Sequence, residues 1–200
     1  MQPPTRAMTD PTADRIKNAA LDAFAELGYH ATSMRALADR AEIRAGSLYH
    51  WYPNKEAVLV SIMEDFLTGL AREVVEEVEK ASSPTERLKG AVRAHVIYHC
   101  LHRRAAFVTD TEVRSLTGEV RVRIMNSRDS YSDLFYQLIR DGIDRGEFQA
   151  RNAKIATLAI LLQCTGVAVW FNPAGALSLP EVAEIHVELV LRSLNAVSVS

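Results

Sequence analysis

Hydrophobic residues recur along most of the chain at intervals of three and four positions, which is the period of an amphipathic helix. In the first such segment, residues 14–27, the apolar face consists of Ile16, Ala20, Leu21, Phe24 and Leu27. No segment shows the sustained alternation of apolar and polar residues that marks a half-buried strand. The pattern therefore predicts an all-α protein with about nine helices.

The first three predicted helices are short and closely spaced. They occupy 14–27, 34–41 and 44–50, and a tight turn at Glu42 separates the second from the third. Gly28 suits a left-handed cap at the end of the first helix, and a hydroxyl-bearing pair follows where the second helix needs an N-cap. Small helices with a sharp turn before the last one are typical of a helix-turn-helix unit.

Six longer helices follow, and proline and capping residues mark their ends. Pro53 ends the third helix, and the segments that begin at Ser83 and Ser178 each combine serine, proline and glutamate as a helix start does. These helices are predicted at 55–80, 84–102, 105–116, 118–145, 152–171 and 179–195. The change from short to long helices predicts a domain boundary near Lys55.

Composition and charge limit the possible functions. Hydrophobic residues make up 48% of the chain and the net charge is −2, so a nucleic-acid-binding face would depend on local arrangement rather than on bulk charge. Residues 1–11 are polar and proline-rich, which predicts a disordered leader rather than a signal peptide. Cys100 and Cys164 are isolated, and we expect reduced, buried thiols in a cytoplasmic protein.

The stretch 43–56 carries most of the functional information. It holds a helix too short to be stable alone, together with aromatic residues and one arginine, so a scaffold must present it. As a recognition helix in the major groove of DNA, it would place Arg44, Ala45 and Ser47 against base edges. Contacts to phosphates would come from side chains around it with hydroxyl, imidazole or cationic groups: Thr32, Ser33, Arg35, Tyr49, His50 and Lys55.

Two other interpretations of this stretch remain open. The helix could be an amphipathic corner in which Tyr49 and Tyr52 are half-buried in the core. It could also belong to a helical interaction module that presents the same surface to a protein, and binding to such a partner would not show the salt dependence of DNA binding.

The segment Gly46-Ser47-Leu48-Tyr49-His50-Trp51-Tyr52-Pro53-Asn54-Lys55-Glu56 resembles the signature of the tetracycline-repressor (TetR) family of bacterial regulators. The segments 27–29 and 32–38 also resemble that family. Departures lie in the turn, where Glu42 stands at a usual glycine, and at the start of the recognition helix, where Arg44 stands at a usual serine or threonine. We expect the glutamate to strain the turn and to lie unfavourably near phosphates.

Membership implies a dimeric repressor that binds a palindromic operator through residues 12–54. It also implies that residues 55–200 form a domain for ligand binding and dimerisation. In that family a small-molecule effector enters the larger domain and releases the DNA. We expect the effector to shift the fourth helix and to change the spacing of the two recognition helices, which must fit major grooves about 34 Å apart.

The last two predicted helices indicate a homodimer independently of the resemblance. Residues 153–171 contain one charge, Lys154, and the final helix has an apolar stripe. The apolar run 155–171 is slightly too short for a membrane span and contains Gln163 near its middle. A twofold four-helix interface would bury both helices, so we expect a homodimer and no membrane partner.

Aromatic and polar side chains on the long helices are candidates for lining an effector pocket, although each suits an ordinary core position equally well. The candidates are Phe66, Tyr98, His99, Phe107, Tyr131, Phe135, Gln163 and Trp170. The run 170–173, with Leu177 and Ser178, resembles the corresponding part of TetR-like regulators of fatty-acid and sterol breakdown. That resemblance implies an acyl-CoA thioester or another hydrophobic ligand as effector, with surface arginines such as Arg103 and Arg104 beside an anionic head group.

His95, His99 and His102 follow one another at helical spacing on one predicted face. They could bind a transition metal in a helical-bundle metalloenzyme, line the effector pocket, or be half-buried histidines without a ligand. No cysteine or carboxylate shares that face at ligand spacing. The chain also lacks a nucleophile–base motif, a glycine-rich phosphate loop and a carboxylate pair. We therefore expect no enzymatic activity, no cofactor and no bound metal.

Overall fold

The structure, a computed structural model, describes residues 11–195. These residues form ten α-helices and one short 3-10 turn, with no strand among them. The helices are α1 (Pro11–Leu27), α2 (Met34–Arg40), α3 (Ala45–Trp51), α4 (Lys55–Glu79), α5 (Pro84–Leu101), α6 (Arg103–Glu112), α7 (Gly118–Asp144), α8 (Ala153–Thr165), α9 (Val167–Trp170) and α10 (Leu179–Ser193). The all-α prediction is confirmed. The predicted leader, apart from its last residue, lies outside the described residues.

Capping side chains begin five of the ten helices, at positions that the sequence indicates. The side chains of Ser33, Asn54, Ser83, Asn152 and Ser178 each accept a hydrogen bond from the first turn of the helix that follows. Such bonds satisfy amide groups that have no partner inside the helix. The cap at the start of α10 is a complete capping box.

Two segments differ in detail from the sequence prediction. The predicted eighth helix is divided at Gly166 into α8 and α9. The predicted sixth helix starts earlier, because His102 alone links α5 to α6, and it ends in the 3-10 turn Val113–Ser115. The pattern of apolar residues could not reveal either change, since both preserve which residues face inward.

Helix α4 takes part in two hydrophobic cores. Its first half, with Leu59 and Met63, packs with α1, α2 and α3 in a core that also includes Val108 of α6 and Ile124 of α7. Its second half, from Phe66 onward, belongs to a larger core formed with α5, α7, α8 and α10. A displacement of α4, α6 or α7 in the larger core is therefore communicated to the helix-turn-helix unit through side chains already in contact.

The segment Ala153–Trp170 leaves a broad apolar surface uncovered. By length and composition it could cross a membrane, with a mean hydropathy of 1.6, yet only 22% of it is buried within the chain. Leu162 and Val169 are each 78% exposed. Ile185 and Leu189 on α10 add to the exposed apolar area. Most of this segment is therefore not buried inside one chain.

Candidate DNA-binding face and effector cavity

The turn between α2 and α3 is held from beneath by α1. Arg15 donates two hydrogen bonds from Nη2, to the carbonyl of Ala41 at 2.6 Å and to that of Glu42 at 3.0 Å. Glu42 has a φ of 54°, in the left-handed region that suits glycine. The expected strain at this position is therefore present. The amide of Ile43 closes the turn on the carbonyl of Ala38 at 3.0 Å.

Helix α3 presents nearly all of its surface to solvent. Leu48 is its one buried residue and anchors it to the core. The predicted base-contacting residues are all exposed: Arg44, Ala45 and Ser47. Tyr49 and His50 are exposed as well. The structure thus brings these five side chains to one outward-facing helix, as a recognition helix requires.

The interpretation of α3 as an amphipathic corner requires both Tyr49 and Tyr52 to be half-buried, and the two residues differ in this respect. Tyr49 is 54% exposed, so it is available to a partner. Tyr52 is half-buried, and its hydroxyl lies 3.4 Å from that of Ser61 on α4. Tyr52 therefore ties the recognition helix to α4, whereas Tyr49 does not contribute to the core.

At the start of α2, the candidates differ in accessibility. Ser33 and Arg35 are exposed, and the Ser33 hydroxyl, which accepts from the amide of Ala36, keeps its own proton for a phosphate. Thr32 is only 2% exposed, and its hydroxyl donates to the carbonyl of Gly28 at 2.9 Å. The prediction that Thr32 contacts phosphate is corrected accordingly, because its side chain stabilises the α1–α2 loop instead.

Lys55 also has a structural role that the sequence does not reveal. Its ammonium donates to the carbonyls of Tyr29 and Thr32, both at 2.6 Å, and lies 4.2 Å from the centre of the Tyr29 ring. Burial lowers the pKa of Lys55, against the opposing effect of Glu112. Two of its three donors are used, so a phosphate contact is limited to the third. Lys55 fixes the α1–α2 loop to the start of α4.

Two adjoining cavities lie among the longer helices that follow the helix-turn-helix unit. The inner cavity, about 480 Å³, lies among α4, α5, α6, α7 and α8. The outer cavity, about 720 Å³, lies among α6, α8 and α9, and Ala25 of α1 forms part of its wall. Asp110, Leu162 and Thr165 line both. Volumes of this size are typical of small-molecule sites.

The pocket candidates from the sequence are distributed over several places. Phe66, His99 and Tyr131 line the inner cavity, and Phe107 lines the outer one. Phe135 is fully buried behind Tyr131, with ring centres 5.6 Å apart.

The other three candidates lie outside the two cavities. Tyr98 lines a separate cleft with His102. Gln163 is exposed on α8, and Trp170 is 57% exposed and stacks on His186 at 5.9 Å. The sequence could not place these residues because helical spacing gives a face but not the helix that covers it.

The two histidines of α5, and His102 directly after it, contact protein partners and are not directed at a common point. His95 is bonded to the Tyr131 hydroxyl at 2.7 Å and to that of Thr165 at 3.2 Å. His99 donates from Nδ1 to the carbonyl of His95 at 2.9 Å. His102 packs on Tyr98. Among residues 11–195 no cluster of three His, Cys, Asp or Glu residues could hold a metal.

Burial keeps the two inner histidines neutral. It holds the pKa of His95 well below its usual value, helped by the proximity of His99 and His186. It also lowers the pKa of His99, although the hydrogen bond to the His95 carbonyl opposes this. A neutral imidazole has one donor and one acceptor, and the observed bonds are compatible with that state.

Charged side chains of α6 connect both cavities to other helices. Arg104 pairs with Asp22 of α1. Arg103 donates to the carbonyl of Ala168 at 2.8 Å, at the end of the outer cavity. Asp110 pairs with Arg128 of α7 at 2.9 Å. None of these contacts is visible in the sequence, because each joins residues from different helices.

The C-terminal end of α6 contacts the helix-turn-helix unit directly. Glu112 is 7% exposed, and its carboxylate accepts from the amide of Tyr29 at 3.4 Å and from the hydroxyl of Ser115 at 2.8 Å. The carbonyl of Tyr29 in turn accepts from Lys55. One line of contacts thus runs from a helix that lines both cavities to the base of α2 and α4.

Comparison with known proteins identifies the family. The model for bacterial regulatory proteins of the tetR family matches residues 16–62, and that for the tetracyclin repressor-like C-terminal domain matches residues 81–194. The chain is 27% identical to the HTH-type transcriptional repressor KstR2 of Mycolicibacterium smegmatis, over 98% of this chain and 96% of the relative.

Solved structures give the same result. A tetR-family regulatory protein from Rhodococcus RHA1 is 29% identical and superposes with a TM-score of 0.88, over 95% of this chain and all of that one. AibR, solved with isovaleryl coenzyme A and operator DNA, is 22% identical and shares the fold with a TM-score of 0.82, over 93% of this chain and all of that one. The chain therefore belongs to the TetR family of ligand-responsive bacterial transcriptional repressors, and it is a DNA-binding regulator rather than an enzyme.

Proposed function

We propose that the protein acts in the cytoplasm as a homodimer on a palindromic operator, and that an acyl-CoA thioester releases it from the DNA. The observation that carries the proposal is the pair of adjoining cavities, which reaches from the core of the larger domain to Ala25 on the first helix of the DNA-binding unit. A ligand that fills both cavities touches the helix that supports α2 and α3. Residues 12–54 would be the DNA-binding domain and 55–200 the effector and dimerisation domain.

The uncovered apolar surface supports the homodimer. On α8, Ile155, Leu158 and Leu162 are exposed at helical spacing, and α10 exposes Ile185 and Leu189. Large exposed apolar patches of this kind usually mark interfaces. A twofold contact between two copies of these helices would cover the patch and hold two α3 helices at a fixed distance, as adjacent half-sites require.

The two cavities suit the two parts of an acyl-CoA molecule. About half of the residues that line the inner cavity are apolar, including Phe66 and Leu161, and this apolar part of the wall suits an acyl group. The outer cavity contains Arg103 and Arg104, and a guanidinium is well suited to bind phosphate. AibR, which shares the fold, was solved with isovaleryl coenzyme A, a ligand of this class.

Release would follow from competition within the outer cavity. A phosphate of the effector would compete with Asp22 for Arg104, and so weaken the link between α6 and α1. Movement of α6 would also disturb the contact of Glu112 with Tyr29. Both changes alter how α1, α2 and α3 sit on α4, and a modest change in the spacing of two recognition helices prevents both from entering the major groove.

DNA recognition can be tested by selecting bound duplexes from a random pool. We expect a palindromic consensus with half-sites about one helical turn apart. Tyr49→Ala should weaken binding to all sequences, whereas Arg44→Ala should change the preferred bases. Arg140→Ala, which removes an exposed arginine paired with Asp144 on α7, is the matched control. Unchanged affinity and consensus in the Arg44 and Tyr49 variants would contradict the assignment of α3.

The effector can be tested by thermal shift with a panel of acyl-CoA thioesters, with coenzyme A and the free acids as controls. A thioester at about one hundred times its Kd should add about 2.7 kcal/mol to the free energy of unfolding. Arg104→Gln should weaken binding of the thioester but not of the free acid. Stabilisation by the free acid alone would show that the outer cavity does not bind coenzyme A.

A further inference from the structure

Two hydroxyl groups in the wall of the inner cavity have no hydrogen-bond partner. They are Oγ1 of Thr109 on α6 and Oγ of Ser132 on α7, and both atoms are buried. Thr109 is only 1% exposed. Buried polar groups in proteins are nearly always paired. An unpaired hydroxyl beside a cavity therefore indicates that a ligand in the cavity supplies the hydrogen-bond partner.

Within residues 11–195, these two hydroxyls are the buried side-chain polar atoms that lack a partner. Serine and threonine in a helix commonly donate to the carbonyl four residues earlier. Thr111 does so with Phe107 at 2.8 Å, and Ser127 does so with Arg123 at 3.2 Å. Thr109 shares a helix with the first of these and Ser132 shares α7 with the second, yet neither makes the local bond.

The two hydroxyls lie on different helices that line the same cavity and are linked beside it by Arg128. Arg128 of α7 donates to the backbone carbonyl of Thr109 at 3.2 Å. Ser132 follows Arg128 by one helical turn and therefore lies on the same face of α7. Both Thr109 and Ser132 thus border the space that α6 and α7 enclose together.

His99 adds an acceptor to this cavity. Its Nδ1 must carry a proton, because the bonded His95 carbonyl can only accept. Since burial lowers the pKa of His99, the ring is neutral and Nε2 is left as an acceptor. Within residues 11–195 this nitrogen has no hydrogen-bond partner. The cavity therefore offers two unpaired hydroxyls and one acceptor nitrogen, in addition to the charged side chains of Asp110, Arg128 and Asp129 that also line it.

We infer that the inner cavity selects an acyl group bearing an oxygen substituent, a hydroxyl or a keto group, along its chain. This inference rests on the proposed function, in which the acyl part of a thioester fills the inner cavity. A keto oxygen accepts from Thr109 and Ser132, and a hydroxyl can in addition donate to His99. An unsubstituted chain takes the place of any water that serves these groups and returns no hydrogen bond, so its binding is weaker.

The experiment compares decanoyl-CoA with a series of hydroxydecanoyl-CoA and oxodecanoyl-CoA thioesters in which the oxygen moves along the chain. Calorimetric titration should show at least one oxygenated thioester binding about tenfold or more tightly than decanoyl-CoA. Thr109→Val, which keeps the side-chain shape, and Ser132→Ala should each reduce that preference. Ser127→Ala, whose hydroxyl already has a local partner, should preserve it.

The outcomes separate this inference from the proposed function. If all thioesters bind with equal affinity, the proposed function stands and the oxygen selectivity is overturned. If no thioester binds, the series is repeated with decanoic acid and its hydroxylated and keto forms. If the protein prefers an oxygenated acid and Thr109→Val removes that preference, the inference about the inner cavity is upheld although the effector is not a thioester. If neither series shows a preference, the inference is overturned.

Discussion

At the scale of single residues, backbone strain and burial both affect stability. Glu42 lies in the left-handed region in the turn before α3, and His95 and His99 are buried without charge in the inner core. The strain is stored in the DNA-binding unit, and the pH sensitivity lies in the effector domain. Each can be measured through the free energy of unfolding.

Glu42→Gly should raise the free energy of unfolding by about 0.5–1 kcal/mol. The left-handed conformation costs a non-glycine residue about 1–2 kcal/mol, and the greater freedom of glycine in the unfolded chain offsets part of the gain. Asp39→Gly, in the helical part of α2, is the control and should lower stability by up to about 1 kcal/mol. Denaturant titration gives both values, and a loss of stability in Glu42→Gly would show that the turn is not strained.

Acidification should destabilise the protein through His95 and His99. Their pKa values are lowered on folding, so the unfolded chain binds more protons and stability falls as the pH drops below about 6.5. The slope is at most about 1.4 kcal/mol per pH unit for each proton. Unfolding measured from pH 7 to 5.5 should show this loss, and His99→Gln should flatten it. A pH-independent wild type would contradict the neutral assignment.

Individual residues also show what the sequence can and cannot reveal. The exposure of Arg44, Ser47 and Tyr49 follows from a motif and a helical period, and the structure agrees. Thr32 and Lys55 belong to two segments that resemble the same family, but their side chains donate hydrogen bonds to carbonyls of the α1–α2 loop. A pattern of residue types gives the element and its face, whereas these hydrogen bonds depend on where three separate segments meet.

At the scale of elements, α6 is the helix that joins the two cavities to the helix-turn-helix unit. It lines both cavities, pairs with α1 through Arg104, and ends in Glu112 beside Tyr29. The sequence predicts α6 only approximately and connects it with the effector alone, because its partners in α1 and in the α1–α2 loop lie far away in the chain. Helix α4, expected to transmit the signal, shares both cores with it.

Glu112→Ala should reduce the effect of the effector on operator binding more than it reduces effector binding itself. The substitution removes the contact between α6 and the amide of Tyr29, and changes along such a network alter coupling by about 0.5–2 kcal/mol. The ratio of operator Kd with and without a saturating thioester should therefore fall by about 2- to 30-fold. Glu119→Ala, at the exposed start of α7, is the control. An unchanged ratio in Glu112→Ala would exclude this route.

At the scale of the whole molecule, the apolar surface of α8, α9 and α10 is the surface that the proposed homodimer would cover. The sequence indicates this surface well, since residues 153–171 carry a single charge. The separation of the two recognition helices could not be predicted, because it depends on how two copies pack. The cavities could not be predicted either, because empty space leaves no pattern in a sequence.

Leu162→Glu should convert the protein to a monomer. Leu162 is 78% exposed within one chain. At a twofold contact the substitution would bury one unpaired carboxylate from each copy, and burying an unpaired charge is costly. Sedimentation should show the smaller species, and operator affinity should fall because each half-site is then bound separately. Val122→Glu, 58% exposed on α7, is the control and should remain dimeric. A dimeric Leu162→Glu variant would place the interface elsewhere.

The central claim is that occupation of the two cavities releases the protein from DNA. Fluorescence anisotropy of a labelled duplex carrying the selected palindrome, with and without a saturating acyl-CoA thioester, tests it most directly. The account predicts that one dimer binds the duplex and that the thioester raises the operator Kd at least about tenfold, whereas coenzyme A alone does not. An operator Kd that stays constant while calorimetry shows the thioester bound would contradict it.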